Sequence, residues 1–198
     1  MRLAVAICNG LGLWNGALLA VGRWLGAACL ALMVVVILTQ VFFRYVLGSA
    51  LAWPEEASRF LMLWSTGLMA PTAFRAGGFG AIDMVVRLLP RVVAGGLTVL
   101  LLGLMVVLLW VALTIGWSEV TGLAGRFQTD SLRVPAAWDL SVWVKVPKSA
   151  MMASMVVGVA LLLSVAVELL LRHIMVLLGA RDRLQAIPGA VVLGGGTE

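Results

Sequence analysis

A chain of 198 residues that is 63% hydrophobic and only 12% charged cannot cover itself with a water-facing surface, which excludes a soluble domain and implies an integral membrane protein. The net charge of +5 does not imply nucleic acid, because the basic residues are scattered around apolar segments and never cluster with aromatics. With one histidine the chain cannot supply a bis-histidine haem pair, and with two cysteines neither a disulfide framework nor a cysteine-ligated metal site is expected. It also has no HExxH and no glycine loop to cradle phosphate, so neither an enzyme nor a cofactor is expected.

In chain order, residues 1–22 open with Arg2 and run apolar except for Asn9 and Asn15, a pattern read as an N-terminal interfacial segment leading into the first span. Trp24 to Phe43 is a run of 20 uncharged residues, about 30 Å as a helix and so matched to a bilayer core. Pro54 suits the first turn of a second helix, with Glu55 and Glu56 where a helix N-terminus favours negative charge. That helix stays apolar from Phe60 to Phe74 and closes on Arg75. Residues 81–89 place Ile82, Val85, Val86 and Leu89 on one helical face, with Asp83 and Arg87 elsewhere, which predicts a short interfacial helix ending at Pro90. Val92 to Trp117 supplies 26 uncharged residues and Ser149 to Val167 supplies 19. The expected architecture is all-α, with spans near 24–43, 56–75, 92–117 and 149–171 inside a four-span membrane domain of residues 23–172. A cytoplasmic tail of residues 173–198 follows. The loop from Ser118 to Lys148 is long, carries charges of both signs and includes Trp138 and Trp143, which suit a membrane surface.

Four spans put Arg2, Arg23, Arg75, Arg87, Arg91, Arg172, Arg181 and Arg183 on one side of the membrane. Arg44, Arg59, Arg126, Arg133, Lys145 and Lys148 lie on the other. The bias is eight against six, and the long loop weighs less, so both termini are expected in the cytoplasm.

The ionisable residues between the first two spans allow two readings. In one, Arg44 snorkels to the headgroups and Glu56 pairs with Arg59, three residues along the same helix. In the other, Glu55 or Glu56 ties the first two spans together, facing Arg44, or meets a protein partner. At the far end of the fourth span, Glu168 and Arg172 stand four residues apart and suit a local pair, with His173 at the boundary.

Gln40, Arg44 with Tyr45, Trp53, Glu55 with Glu56, Arg59, Trp64, Arg75 and Asp83 occur in an order and spacing that resemble the small membrane subunit, or Q subunit, of tripartite ATP-independent periplasmic (TRAP) transporters. Pro135, Trp138 and Pro147 agree further along, so the resemblance covers roughly residues 20 to 172. Two positions depart from it. Phe79 and Gly80 precede Ala81, Ile82 and Asp83 where members often carry a histidine, and Met69 stands where a small residue is common.

The resemblance implies an inner-membrane complex in which a periplasmic solute-binding protein captures an organic acid and a large membrane subunit carries it with sodium. This chain would serve as a non-catalytic scaffold subunit for secondary active transport. The Gln40 to Asp83 residues become candidates for structure or the subunit interface, and Arg126, Arg133 and Trp138 for docking of the binding protein. Small residues that allow close packing in lipid are Gly22, Gly26 and Ala27, then Gly95, Gly96 and Gly103, then Ala150, Ala153, Ser154 and Gly158. The competing function is a self-sufficient four-span transporter working as a homodimer. That design needs a polar group facing a central cavity, and no acidic residue lies in mid-span.

Overall fold

The computed structural model describes residues 2–49, 51–77, 91–135 and 143–178. Helix α1 runs unbroken over Arg2–Tyr45, 44 residues or about 66 Å, so the boundary expected after residue 22 falls inside a continuous helix. Its buried positions are Val5, Cys8, Gly12, Asn15, Leu19, Gly22 and Gly26, alternately three and four residues apart. The half-buried or buried Cys29, Met33, Val36, Gln40 and Phe43 continue the same stripe. Such a seam is what a helix presents to antiparallel neighbours at a shallow crossing angle. The helix ends in a turn where Gly48 adopts φ 64° and the Ser49 amide donates to the Phe43 carbonyl at 3.1 Å.

Helix α2 is Trp53–Arg75, with Pro54 in its first turn and Glu55 and Glu56 beside it. It descends antiparallel to α1, with Gly26 of α1 facing Ser65 and Met69, Gly22 facing Leu68 and Gly16 facing Arg75. Helix α3 is Arg91–Thr121, and the four-residue turn α4, Leu123–Arg126, follows it. Strand β1, Gln128–Pro135, pairs antiparallel with β2, Trp143–Pro147, and α5, Lys148–Leu177, starts at the next residue. This hairpin lies in the segment expected to be loop, so a small sheet adds to the helical bundle.

Helices α2 and α5 run in the same direction: the Trp64 indole donates to the Ala150 carbonyl at 3.2 Å near one end, and Arg75 meets Glu168 near the other. Helix α3 returns antiparallel on α5, with Gly116 against Val156 and Gly95 against Leu177. The central core is Leu19, Phe74, Val165 and Ala166, and a second contact joins Val5 to Met175. Everywhere else the bundle exposes large apolar side chains, including Leu30, Leu38 and Phe42 of α1 and Leu100, Leu104 and Trp110 of α3. That surface needs a lipid or protein environment.

Three helices are long and apolar enough to cross a membrane, Val5–Tyr45, Val93–Thr121 and Lys148–Leu177. Helix α2 is not among them. It is 23 residues long, and its ionisable residues at both ends dilute its apolar middle. The interfacial helix expected at 81–89 and the tail beyond residue 178 lie outside the described residues, although α5 continues past the expected boundary at 172 to Leu177.

Candidate functional site

Two polar constellations hold the bundle, one at each end. The first surrounds Glu168, which is completely buried. Its Oε1 accepts from Arg75 Nη2 at 2.8 Å and from Arg172 Nε at 3.0 Å, and its Oε2 accepts from Asn15 Nδ2 at 2.8 Å. Arg75 Nη2 also donates to the Gly12 carbonyl at 2.7 Å, and the Ser164 hydroxyl donates to Asn15 Oδ1 at 2.6 Å. Helices α1, α2 and α5 therefore meet on one carboxylate. The local pair of Glu168 with Arg172 is present, but Arg75 joins it from 93 residues away. An ion at this depth is tolerable only with partners, and here each partner comes from a different position in the chain.

The seam of α1 makes room for this arrangement. A side chain at Gly12 would press on the Arg172 Nη2 and stand 3.1 Å from Glu168 Oε1, and one at Gly16 would stand 3.4 Å from Arg75 Nη1. Because the group met first at Gly12 is the far end of a flexible arginine, Gly12→Ala is expected to lower stability by about 1 kcal/mol, the low end of overpacking costs. Thermal unfolding of the detergent-solubilised protein measures this.

The second constellation joins α2 to the hairpin. Glu56 Oε2 accepts from the Ser131 amide at 2.8 Å, the Ser131 hydroxyl at 2.8 Å and the Leu132 amide at 2.7 Å. Glu56 therefore bonds to the hairpin and not to Arg59 along its own helix. Glu56 does not pair with Arg44, whose guanidinium instead lies 5.7 Å from the centroid of the Tyr45 ring. Arg59 pairs with Glu55 at 2.7 Å, one turn back, on an exposed face where the pair contributes little. The geometry follows from the helix start: Glu56 points back past the first turn, where the hairpin crosses, while Glu55 and Arg59 point outward.

The remaining expected residues are dispersed. Gln40 sits half-buried on the α1 seam, Tyr45 and Trp53 are exposed around the first turn, and Trp64 reaches α5 through its indole N–H. Arg126 and Arg133 are exposed on the hairpin and its flank, and Asp83 and Trp138 lie outside the described residues. Among the small-residue patches, Gly22, Gly26, Gly95, Ser154 and Gly158 pack against neighbours, whereas Gly96 and Gly103 have nothing within 4 Å of an added Cβ and Ala27 is exposed. Met69, the departure in α2, turns onto Gly26, where an added Cβ would stand 2.5 Å from Met69 Cγ. Sequence reasoning missed Asn15, Gly12 and Gly67. Their signal was the three-and-four spacing on α1 and the Gly67 to Pro71 step on α2.

These features define a helical membrane protein whose buried charges join helix to helix. The family model for tripartite ATP-independent periplasmic transporters, DctQ component, matches residues 33–175, and the chain belongs to that family. It is accordingly a small permease component of the TRAP type. The matched region contains Glu56, Arg75, Glu168 and Arg172, while Gly12 and Asn15 precede it. No curated protein and no solved structure matches the chain.

Proposed function

We propose that this chain is the non-catalytic scaffold of a sodium-coupled secondary transporter for organic acids, working in the inner membrane with a large permease subunit and a periplasmic solute-binding protein. The carrying observation is the use of the buried charges: Glu168, Arg75 and Arg172 bond to one another and to α1, an arrangement suited to rigidity. A transporter that moves a substrate-carrying domain needs a stationary part that resists being dragged along. Long apolar helices locked together at both ends widen the footprint of that part in lipid.

In this reading α2 is the second of four spans. Its 23 residues, about 34 Å, run alongside α5 from the hairpin end to the Glu168 end, long enough for a bilayer core. Both termini are cytoplasmic, the hairpin is periplasmic, and Arg126 and Arg133 with Trp138 form part of the surface on which the binding protein docks. The candidates Arg44, Tyr45 and Trp53 lie toward that same end and face lipid or the large subunit, with Gln40 nearby on the α1 seam.

Reconstitution tests the proposal. Vesicles containing this chain with its large permease subunit and the binding protein are expected to accumulate a labelled organic acid under an inward sodium gradient. Vesicles containing this chain alone are expected to accumulate none. Uptake by the chain alone would overturn the scaffold reading.

A further inference from the structure

The register of the hairpin leaves a gap that Glu56 fills. Arg133 pairs with Lys145 and Gln128 with Pro147, so five steps along β1 face two along β2, and the four residues 129–132 stand opposite Val146 alone. A bulge of this kind frees backbone amides that the sheet would otherwise satisfy. The bulge is kept in shape by the buried Thr129, whose hydroxyl donates to the Val146 carbonyl at 2.7 Å. The amides of Ser131 and Leu132 then converge with the Ser131 hydroxyl on a single carboxylate oxygen of Glu56. The Ser131 hydroxyl also lies 3.1 Å from the Ala52 carbonyl, just before α2 begins.

Three donors on one anionic oxygen make a charge-assisted contact, stronger than its neutral counterpart. The same carboxylate sits in the first turn of α2, where the helix favours negative charge. The hairpin is thus fixed to the membrane bundle on two sides. One is covalent, through Pro147 into α5, supported by the Lys148 amide donating to the Phe127 carbonyl at 2.8 Å. The other is the Glu56 clamp. Arg133 is the residue after Leu132, so the clamp sets the position of an exposed cation directly.

We propose that Glu56 is a positioning residue for docking of the solute-binding protein: it holds the β1 bulge so that Arg133 and the neighbouring Arg126 flank meet the partner in a fixed geometry. The inference rests on the docking role given to the hairpin above. Loss of the clamp leaves the transport path intact and makes productive encounters rarer. Glu56→Gln therefore raises the concentration of binding protein needed for half-maximal uptake and leaves the maximal rate nearly unchanged.

The experiment uses the reconstituted complex of this chain and its large subunit, with uptake of labelled organic acid measured against binding-protein concentration. Glu56→Gln is expected to raise the half-saturating concentration about fivefold or more with a maximal rate within about twofold of the parent, as expected from replacing a charge-assisted contact by a neutral one. Ser131→Ala keeps the carboxylate and both amides and is expected to give a smaller rise in the same quantity. It decides the matter if Glu56→Gln fails to assemble. Hydrogen exchange at the Ser131 and Leu132 amides is expected to quicken in Glu56→Gln. If the parent complex depends on the binding protein and these variants share its half-saturating concentration, or only the maximal rate falls, this inference alone is overturned. If parent uptake is indifferent to the binding protein, the docking reading falls and this inference with it.

Discussion

Glu168→Leu is expected to be the most damaging single substitution in the chain, lowering stability by about 3–5 kcal/mol as measured by thermal unfolding in detergent. The replacement removes the acceptor of three hydrogen bonds and leaves Arg75 and Arg172 facing each other without the anion between them. Arg75 cannot escape easily, because its side chain is only 7% exposed and its Nε already has no hydrogen-bond partner. Arg172 is 11% exposed and closer to the end of α5, so it can swing toward the surface. Arg75→Met combined with Glu168→Leu is accordingly expected to recover most of the loss, since an apolar set in place of a buried pair is frequently neutral. If the single substitution melts within about 1 kcal/mol of the parent, the network is not what holds the three helices together.

The second large effect is expected at the crossing of α2 and α5. A Cβ on Gly158 would stand 2.8 Å from Gly67 Cα and 2.9 Å from the Gly67 carbonyl oxygen, and a Cβ on Gly67 would stand 2.6 Å from the Ser154 carbonyl oxygen. These are backbone atoms that cannot move aside without moving a helix. Pro71 adds a reason for the contact at this level: it has no amide to offer the Gly67 carbonyl four residues earlier, which is left facing Gly158. Gly158→Ala is expected to destabilise by about 1–3 kcal/mol and to lengthen the Trp64 to Ala150 hydrogen bond as the helices part. Gly103→Ala, with open space around its Cβ, is expected to be neutral or stabilising by up to about 1 kcal/mol through helix propensity. Equal melting of the two variants would contradict this account of the crossing.

The difference between these two glycines shows what was legible in the sequence. Uncharged runs of sufficient length announced α1, α3 and α5, because bilayer thickness sets a length that composition alone can reveal. The same composition does not distinguish a glycine at a helix crossing from one facing lipid, so Gly103 and Gly158 looked alike. On α1 the seam through Cys8, Gly12, Asn15, Leu19, Gly22 and Gly26 has a regular spacing but is built mainly of small and polar residues. A search for apolar periodicity passes over it and takes Asn15 as an interruption. Glu168 was visible with Arg172 because four residues separate them. Arg75 was singled out as well, but its pairing with Glu168 was not visible, because nothing local joins residues 93 positions apart.

The hairpin was hidden for a related reason. The segment QTDSLRVP lacks the alternation that marks a half-buried strand, since its ladder is interrupted between Gln128 and Arg133, where Ser131 and Leu132 turn to Glu56. The acid itself was singled out, but its partner was sought among charges. Its donors are two backbone amides and a serine hydroxyl, groups that carry no signature in composition.

The position of Glu168 near the end of the chain has a consequence for how the protein is made. Arg75 leaves the ribosome 93 residues ahead of its counter-ion, an interval of about 5–20 s at ordinary rates of synthesis. During that time Arg75 of α2, the least apolar of the long helices, lacks the carboxylate that it meets in the finished bundle. Translation of the last helix is therefore the event that closes the bundle, and a nascent chain halted before residue 168 would leave its earlier helices in the bilayer without their latch.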